Sequence, residues 1–234
     1  MEAILLDIEG TTTPIDFVHQ TLFPFARQRM KEFVEENFSS LTDEIKSLKI
    51  EHEKDYAGGF YVKKFDETAP ASIANYLKFL IDEDRKSTAL KSVQGKIWKA
   101  GYEAGELKSE VFADVPRALT RWRGQGKMIV IYSSGSVLAQ KLIFRYSNCG
   151  DLSAFIADYF DTNFGGKKET ASYRKIAAAL NIPAAEILFV SDVAVELDAA
   201  KSAGLETVLS IREGNAPLNR QTAHQSVKSF DEIE

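Results

Sequence analysis

Apolar and polar positions follow two distinct rhythms along this chain. Four short runs are apolar and rich in β-branched types: Ala3-Ile4-Leu5-Leu6, Met128-Ile129-Val130-Ile131-Tyr132, Ile187-Leu188-Phe189-Val190 and Thr207-Val208-Leu209-Ser210-Ile211. Such runs predict strands buried on both faces, as in a parallel sheet. Between them the spacing becomes helical. Val115, Ala118, Leu119 and Trp122 stand at i, i+3, i+4 and i+7, and Tyr173, Ile176, Ala177 and Leu180 repeat the pattern. Strands alternating with helices predict an α/β core, a doubly wound parallel sheet. Asp114 is placed to cap the first of these helices, Gly124 and Gly126 to end it, and Gly204 to end the helix after Asp192.

Residues 16–108 keep only the helical rhythm. Val18, Leu22, Phe25, Phe33 and Val34, then Ile73, Leu77, Leu80 and Ile81, then Leu90, Val93 and Ile97 are helically spaced with no comparable strand between them. Pro24 either starts a new helix or kinks the first. The expectation is a core of residues 1–15 and 109–234 with a helical cap, 16–108, inserted after the first strand and lying over the strand ends like a lid. The loop Gly58-Gly59-Phe60-Tyr61 is the expected flexible or substrate-facing element of the cap. Trp98 and Tyr102 are read as cap core.

Composition narrows the function classes. With 234 residues, 44% hydrophobic and 27% charged, the chain has the make-up of a folded globular protein. Its apolar runs are too short to span a bilayer, and Glu2 stands where a secretory signal would be basic, so a cytoplasmic, unprocessed protein is expected. Cys149 has no partner in the chain, and His19, His52 and His224 show no zinc spacing. The histidines are read as surface or cap-interface residues outside catalysis. A net charge of -5 without a dense basic run argues against nucleic acid or an anionic membrane and leaves a small molecule as the ligand. The absence of an apolar heptad stripe predicts a monomer.

Candidate chemistry gathers where strands end. The stretch LLDIEGTTT closes an apolar run with Asp7 and Glu9, Ser133-Ser134-Gly135-Ser136 follows the second run, and Ser191-Asp192 follows the third. The loop Asp161 to Lys168 brings lysine to the start of a helix. Ligands of open α/β sheets bind at the carboxyl ends of the strands, although Asp7 could instead merely open a turn. Carboxylates, hydroxyls and a cation on one edge suit phosphoryl transfer. A carboxylate nucleophile needs Mg²⁺ to approach a phosphate dianion, and Asp7 and Asp192 offer the oxygen ligands that ion prefers. Ser133, Ser134, helix-start N–H groups and a lysine would hold the equatorial oxygens. Asp192 could also cap the helix Val193 to Ser202, and Glu196 could either orient metal-bound water or be an exposed helix residue. Charge and spacing do not separate Lys167 from Lys168.

The segments DIEGTT, MIVIYSSGS, the lysine loop and ILFVSDVAVE resemble, in order and spacing, the four motifs of the haloacid dehalogenase superfamily of aspartate-nucleophile phosphatases. DIEGTTTPI, DRKSTALKSVQGKIWKAGY, IYSSGSVLAQKLIF and GGKKETASYRKIA are similar to the enolase-phosphatases of methionine salvage over nearly the whole chain. Most of the superfamily carries aspartate where this chain has Glu9; the enolase-phosphatases share the glutamate. The resemblance implies Asp7 as nucleophile, Glu9 as acid and base, Lys167 (by the GxKxE register) as the catalytic cation, Ser133 and Ser134 on phosphate, and Mg²⁺ on Asp7, Asp192 and the Glu9 carbonyl. The implied reaction is enolisation and then dephosphorylation of 2,3-diketo-5-methylthiopentyl-1-phosphate. Another phosphatase of the superfamily, a phospho-acceptor receiver module and a dehalogenase are the alternatives. A receiver carries its acceptor on a middle strand, and dehalogenation gives Asp192 no metal to bind.

Overall fold

The computed structural model describes residues 1–217 and 223–234. In chain order its regular elements are β1 (Ala3–Leu6), α1 (Phe23–Asn37), α2 (Thr42–Ala57), α3 (Pro70–Asp82), α4 (Thr88–Glu103), α5 (Val115–Gly124), β2 (Met128–Tyr132), α6 (Val137–Arg145), β3 (Asp158–Phe160), α7 (Thr170–Leu180), β4 (Ile187–Ser191), α8 (Ala194–Ser202), β5 (Glu206–Ser210) and β6 (Gln225–Val227). All pairings of the sheet are parallel, in the order β3-β2-β1-β4-β5-β6. The doubly wound α/β architecture is therefore the one the alternation of patterns predicts.

The chain divides into two compact units, Met1–Val18 with Leu107–Glu234 and His19–Glu106. In the first, β1 is central and each of its four side chains is fully buried, which is why its sequence shows no polar alternation. Leu6 lies beside Ile131 of β2 and Val190 of β4. One step further, Asp7 leaves the sheet between the ends of both neighbours, at the point where strand order reverses. That is where open α/β sheets hold ligands.

The second unit is helical. Pro24 sits in the first turn of α1, so it starts a helix, after a π-helical turn over Phe17–Leu22. Trp98 and Tyr102 are buried, and the Trp98 indole N–H donates to the Leu22 carbonyl at 2.8 Å. The Gly58–Tyr61 loop is anchored on one side and open on the other: Tyr61 packs on Phe79 at 4.8 Å between ring centres, while Phe60 is exposed.

Several expectations need correction. His52 and His224 are buried: the first sits among Tyr56, Tyr61, Phe65 and Tyr76, and the second lies between Thr207 and Asp198. Asp114 occupies the N-cap position of α5, but its side chain does not cap the helix. Its Oδ2 instead accepts from Arg212 at 2.8 Å, Ser229 and the Phe230 N–H, because a buried guanidinium needs a full countercharge. Neither does Asp192 cap α8, whose N-cap position is Val193.

Asp55 of α2 is the polar centre of the helical unit. It is buried and accepts from the Tyr76 hydroxyl at 2.7 Å and from Arg85 at 3.0 Å. Asp55→Ala strands a buried phenol hydroxyl, and the expected loss is about 2 kcal/mol in urea unfolding. An unchanged midpoint would show that this network adds nothing to stability.

Candidate active site

The turn after β1 answers why threonines follow the two carboxylates. The N–H groups of Thr11, Thr12 and Thr13 all converge on the Ile8 carbonyl at 3.2, 3.0 and 2.9 Å, and Gly10 N–H returns to the Thr13 carbonyl. Gly10 takes φ +65, and a side chain there would also strike the Asp192 carboxylate. The Thr12 hydroxyl donates to the Asp7 carbonyl at 3.1 Å. This tight reversal holds Asp7 buried at the strand end and sets Glu9, half-buried, two residues on.

Lys167 completes the centre. Its ammonium lies 2.7 Å from Asp7 Oδ2 and 2.7 Å from Glu196 Oε2, with all three side chains less than a tenth exposed. Ser191 Oγ stands 3.1 Å from each of the same two oxygens and accepts the Val193 N–H. One hydroxyl hydrogen serves one carboxylate at a time, so Ser191 can follow charge between them. Burial alone would lower the Lys167 pKa, but Asp7 and Glu196 together outweigh it and raise it, keeping the ammonium charged. Burial, then Asp7, push Glu196 up. Lys168 is exposed.

The lysine is aimed by its loop. Tyr132 hydroxyl donates to the Gly165 carbonyl at 2.7 Å and Tyr173 hydroxyl to the Lys167 carbonyl at 2.5 Å, so two core phenols fix the backbone on either side. Across the sheet, Ser133 is buried at the end of β2 and its Oγ accepts the Gly135 N–H at 3.2 Å. Ser134 is half-buried in the same loop, and Ser136 caps α6 through the Ala139 N–H. Gln140 fixes this loop with two donations, to the carbonyls of Gly135 and Phe160. Hydroxyls and the start of α6 thus lie along one edge with the donors an anion would need.

Among the described residues, Asp192 is the site carboxylate with no ion-paired cation of its own. Burial and then Asp7 push it up to about 7, because Lys167, the cation that lowers it, is shared by Asp7 and Glu196. Buried Asp7 and half-buried Asp192 beside a turn of backbone carbonyls are hard oxygen donors, and a divalent cation would relieve the repulsion between them. The donor set fits such an ion with waters completing its shell: among the described residues no group of three or more His, Cys, Asp or Glu side chains converges into a cage.

The sequence did not reveal Tyr132 and Tyr173, which set the lysine loop; no motif marks a partner reached only through space. Glu196, read from its place one helical turn beyond Asp192 as orienting metal-bound water or as exposed, is buried as the lysine's second carboxylate.

Comparison with known proteins agrees with this geometry. Residues 1–204 match the family model of haloacid dehalogenase-like hydrolases. The chain is 47% identical to "Enolase-phosphatase E1" of Synechococcus elongatus, over 98% of this chain and 96% of that one. It is 44% identical, over 98% of its own length and 47% of the longer relative, to a "Probable bifunctional methylthioribulose-1-phosphate dehydratase/enolase-phosphatase E1" of Arabidopsis thaliana. The crystal structure of Unknown transcript 4 protein from Saccharomyces cerevisiae superposes with a TM-score of 0.81 at 35% identity, covering 99% of both chains. A sheet that sets Asp7, Lys167 and Asp192 at one edge and relatives matched from end to end lead to one conclusion: the chain belongs to the enolase-phosphatase family of haloacid dehalogenase-like hydrolases.

Proposed function

We propose that this chain, a phosphatase by family, converts 2,3-diketo-5-methylthiopentyl-1-phosphate by enolisation and then phosphate hydrolysis to 1,2-dihydroxy-3-keto-5-methylthiopentene in methionine salvage. The observation that carries the chemistry is the buried Lys167 ammonium, 2.7 Å from both Asp7 and Glu196. It sets a cation directly against the carboxylate that would act as the nucleophile. The substrate assignment rests on relatedness along the whole chain to proteins named enolase-phosphatase.

In this reading an Asp7 carboxylate oxygen forms a bond to phosphorus as the bond from phosphorus to the enol oxygen breaks. Glu9, as the acid, gives its proton to the departing oxygen, leaving an aspartyl-phosphate. The Glu9 carboxylate then takes a proton from water, whose oxygen attacks phosphorus, releasing phosphate and restoring Asp7. Ser133, Ser134 and Lys167 hold the equatorial oxygens throughout. Asp7, Asp192 and the Glu9 carbonyl would hold Mg²⁺, which when bound would supply charge neutralisation to the phosphate and polarisation of the diketone. Glu9 is also the candidate base for enolisation.

Steady-state assay with the diketone phosphate against a panel of sugar phosphates and nucleotides tests the substrate. Phosphate release from the diketone, preceded by an enol absorbance and at least about a hundredfold faster than from the panel, is expected on the scale by which a placed acid or base contributes. Equal rates without an enol would reduce the function to a general phosphatase.

Lys167→Ala removes a preorganised donor worth about 3 kcal/mol, so turnover should fall by roughly two orders of magnitude. Lys168→Ala should stay within about twofold, as for an exposed charge. The reverse ranking would move the cation by one residue. Glu9→Gln keeps the backbone and removes the acid. Build-up of the enol phosphate, seen as a lasting absorbance without free phosphate, would give Glu9 to hydrolysis and enolisation to another base; loss of both steps with fold and Mg²⁺ affinity intact would give Glu9 both, and wild-type phosphate release would take Glu9 out of the hydrolytic step.

A further inference from the structure

The strand with no candidate chemistry in its sequence, β5, ends against the catalytic turn. Ser210 Oγ donates to the Gly10 carbonyl at 3.3 Å, Asn215 Nδ2 to the same carbonyl at 2.9 Å, and Arg212 Nε to the Thr11 carbonyl at 3.1 Å. Arg212 is itself immobilised. Its guanidinium lies between the rings of Phe112 and Phe230, at 4.5 and 4.6 Å, and pairs with buried Asp114. Three side chains of one segment therefore clamp two consecutive peptides next to Glu9.

Asn215 does more than clamp. Its Nδ2 faces two carbonyls, those of Gly10 and Ser210, at 2.9 and 3.4 Å, which fixes the amide's orientation. Oδ1 must then point the other way, where it is buried and has no hydrogen-bond partner among the described residues. A buried amide oxygen without a donor costs about 1–3 kcal/mol, so it marks a place where a donor is expected from beyond those residues. The direction is informative. The point where a side chain on Gly10 would begin lies 2.8 Å from Asn215 Oδ1 and closer still to Asp192 Oδ2. The two oxygens therefore lie within about 5 Å of one another beside Gly10. An amide oxygen only accepts, so a water with two O–H groups between them could donate to both at once.

From this geometry we infer that Asn215 is a positioning residue of the cation site: Oδ1 accepts a hydrogen bond from a water in the shell of the divalent ion bound at Asp192, while Nδ2 locks the Gly10 peptide. This rests on the divalent-cation reading of Asp7 and Asp192. An outer partner of this kind orients the ion's water and the carboxylate beside it, and loss of one commonly weakens metal binding by about 10–100-fold.

The test is Mg²⁺ titration by calorimetry of the full-length wild type, Asn215→Ala and Ser210→Ala. Ser210→Ala removes a donor from the same Gly10 carbonyl but leaves Oδ1 in place, so it controls for loosening of the turn. Asn215→Ala should bind Mg²⁺ at least about tenfold more weakly than wild type. Ser210→Ala should stay within about threefold, the effect of one neutral hydrogen bond. Equal weakening in both variants would leave only the clamp and overturn the inference, as would an unaltered affinity in Asn215→Ala. Absence of Mg²⁺ binding by wild type would instead overturn the cation reading and this inference with it. Should Asn215→Ala fail to fold, the wild-type protein gives the answer by NMR. The assigned Asn215 side-chain amide resonances should shift in step with Mg²⁺ titration, and amide resonances that stay fixed while Mg²⁺ binds would refute the role.

Discussion

The site depends on one buried ammonium. Lys167 is held within 2.7 Å of two carboxylates, with all three side chains less than a tenth exposed. Taking such charges out of water costs several kcal/mol per ion, repaid only by close pairing and full hydrogen bonding. The surrounding structure supplies that pairing. Tyr132 and Tyr173 fix the lysine's backbone, Ser191 bridges the same carboxylate oxygens, and the tight turn at Gly10 keeps Asp7 at the strand end. The arrangement still leaves negative charge in excess. Asp192 adds a carboxylate that no separate cation balances among the described residues, an imbalance that a divalent ion would relieve.

The parallel sheet makes the arrangement possible at small cost. Asp7, Ser133, Ser191 and Asp192 come from segments far apart in the chain, yet each follows a strand that pairs with β1 or is β1 itself. Position at the strand ends is thereby inherited from core packing and needs no scaffold of its own. Beyond the sheet, α8 brings Glu196 back over the same edge, and the segment after β5 grips the catalytic turn from its other side.

Legibility in the sequence followed the physics of burial. Strands β1, β2, β4 and β5 were readable because burial on both faces leaves continuous apolar runs. By contrast, β3 and β6 are three residues each and carry polar edge positions, Asp158 and Gln225, so no run marks them. Helix α2 escaped for a related reason: its buried face continues from Ile45 and Leu48 into His52 and Asp55, polar side chains satisfied by tertiary partners. In the site, Asp7 and Asp192 could be named since each stands next to a strand end, whereas the glycine turn marked a lysine and only the family register separated Lys167 from Lys168. The roles of Glu196, Arg212 and Asn215 could not be named, because each is defined by a partner remote in sequence.

The central claim is that the carboxylate held by Lys167 is the group that receives the phosphoryl. Its most direct test is chemical trapping: the protein is quenched in acid during steady-state turnover, treated with borohydride to reduce any acyl phosphate, and mapped by peptide mass spectrometry. The account predicts homoserine in place of aspartate at position 7, and only in samples quenched with substrate present. Turnover with an unmodified Asp7, or reduction at another carboxylate such as Asp192, would contradict it.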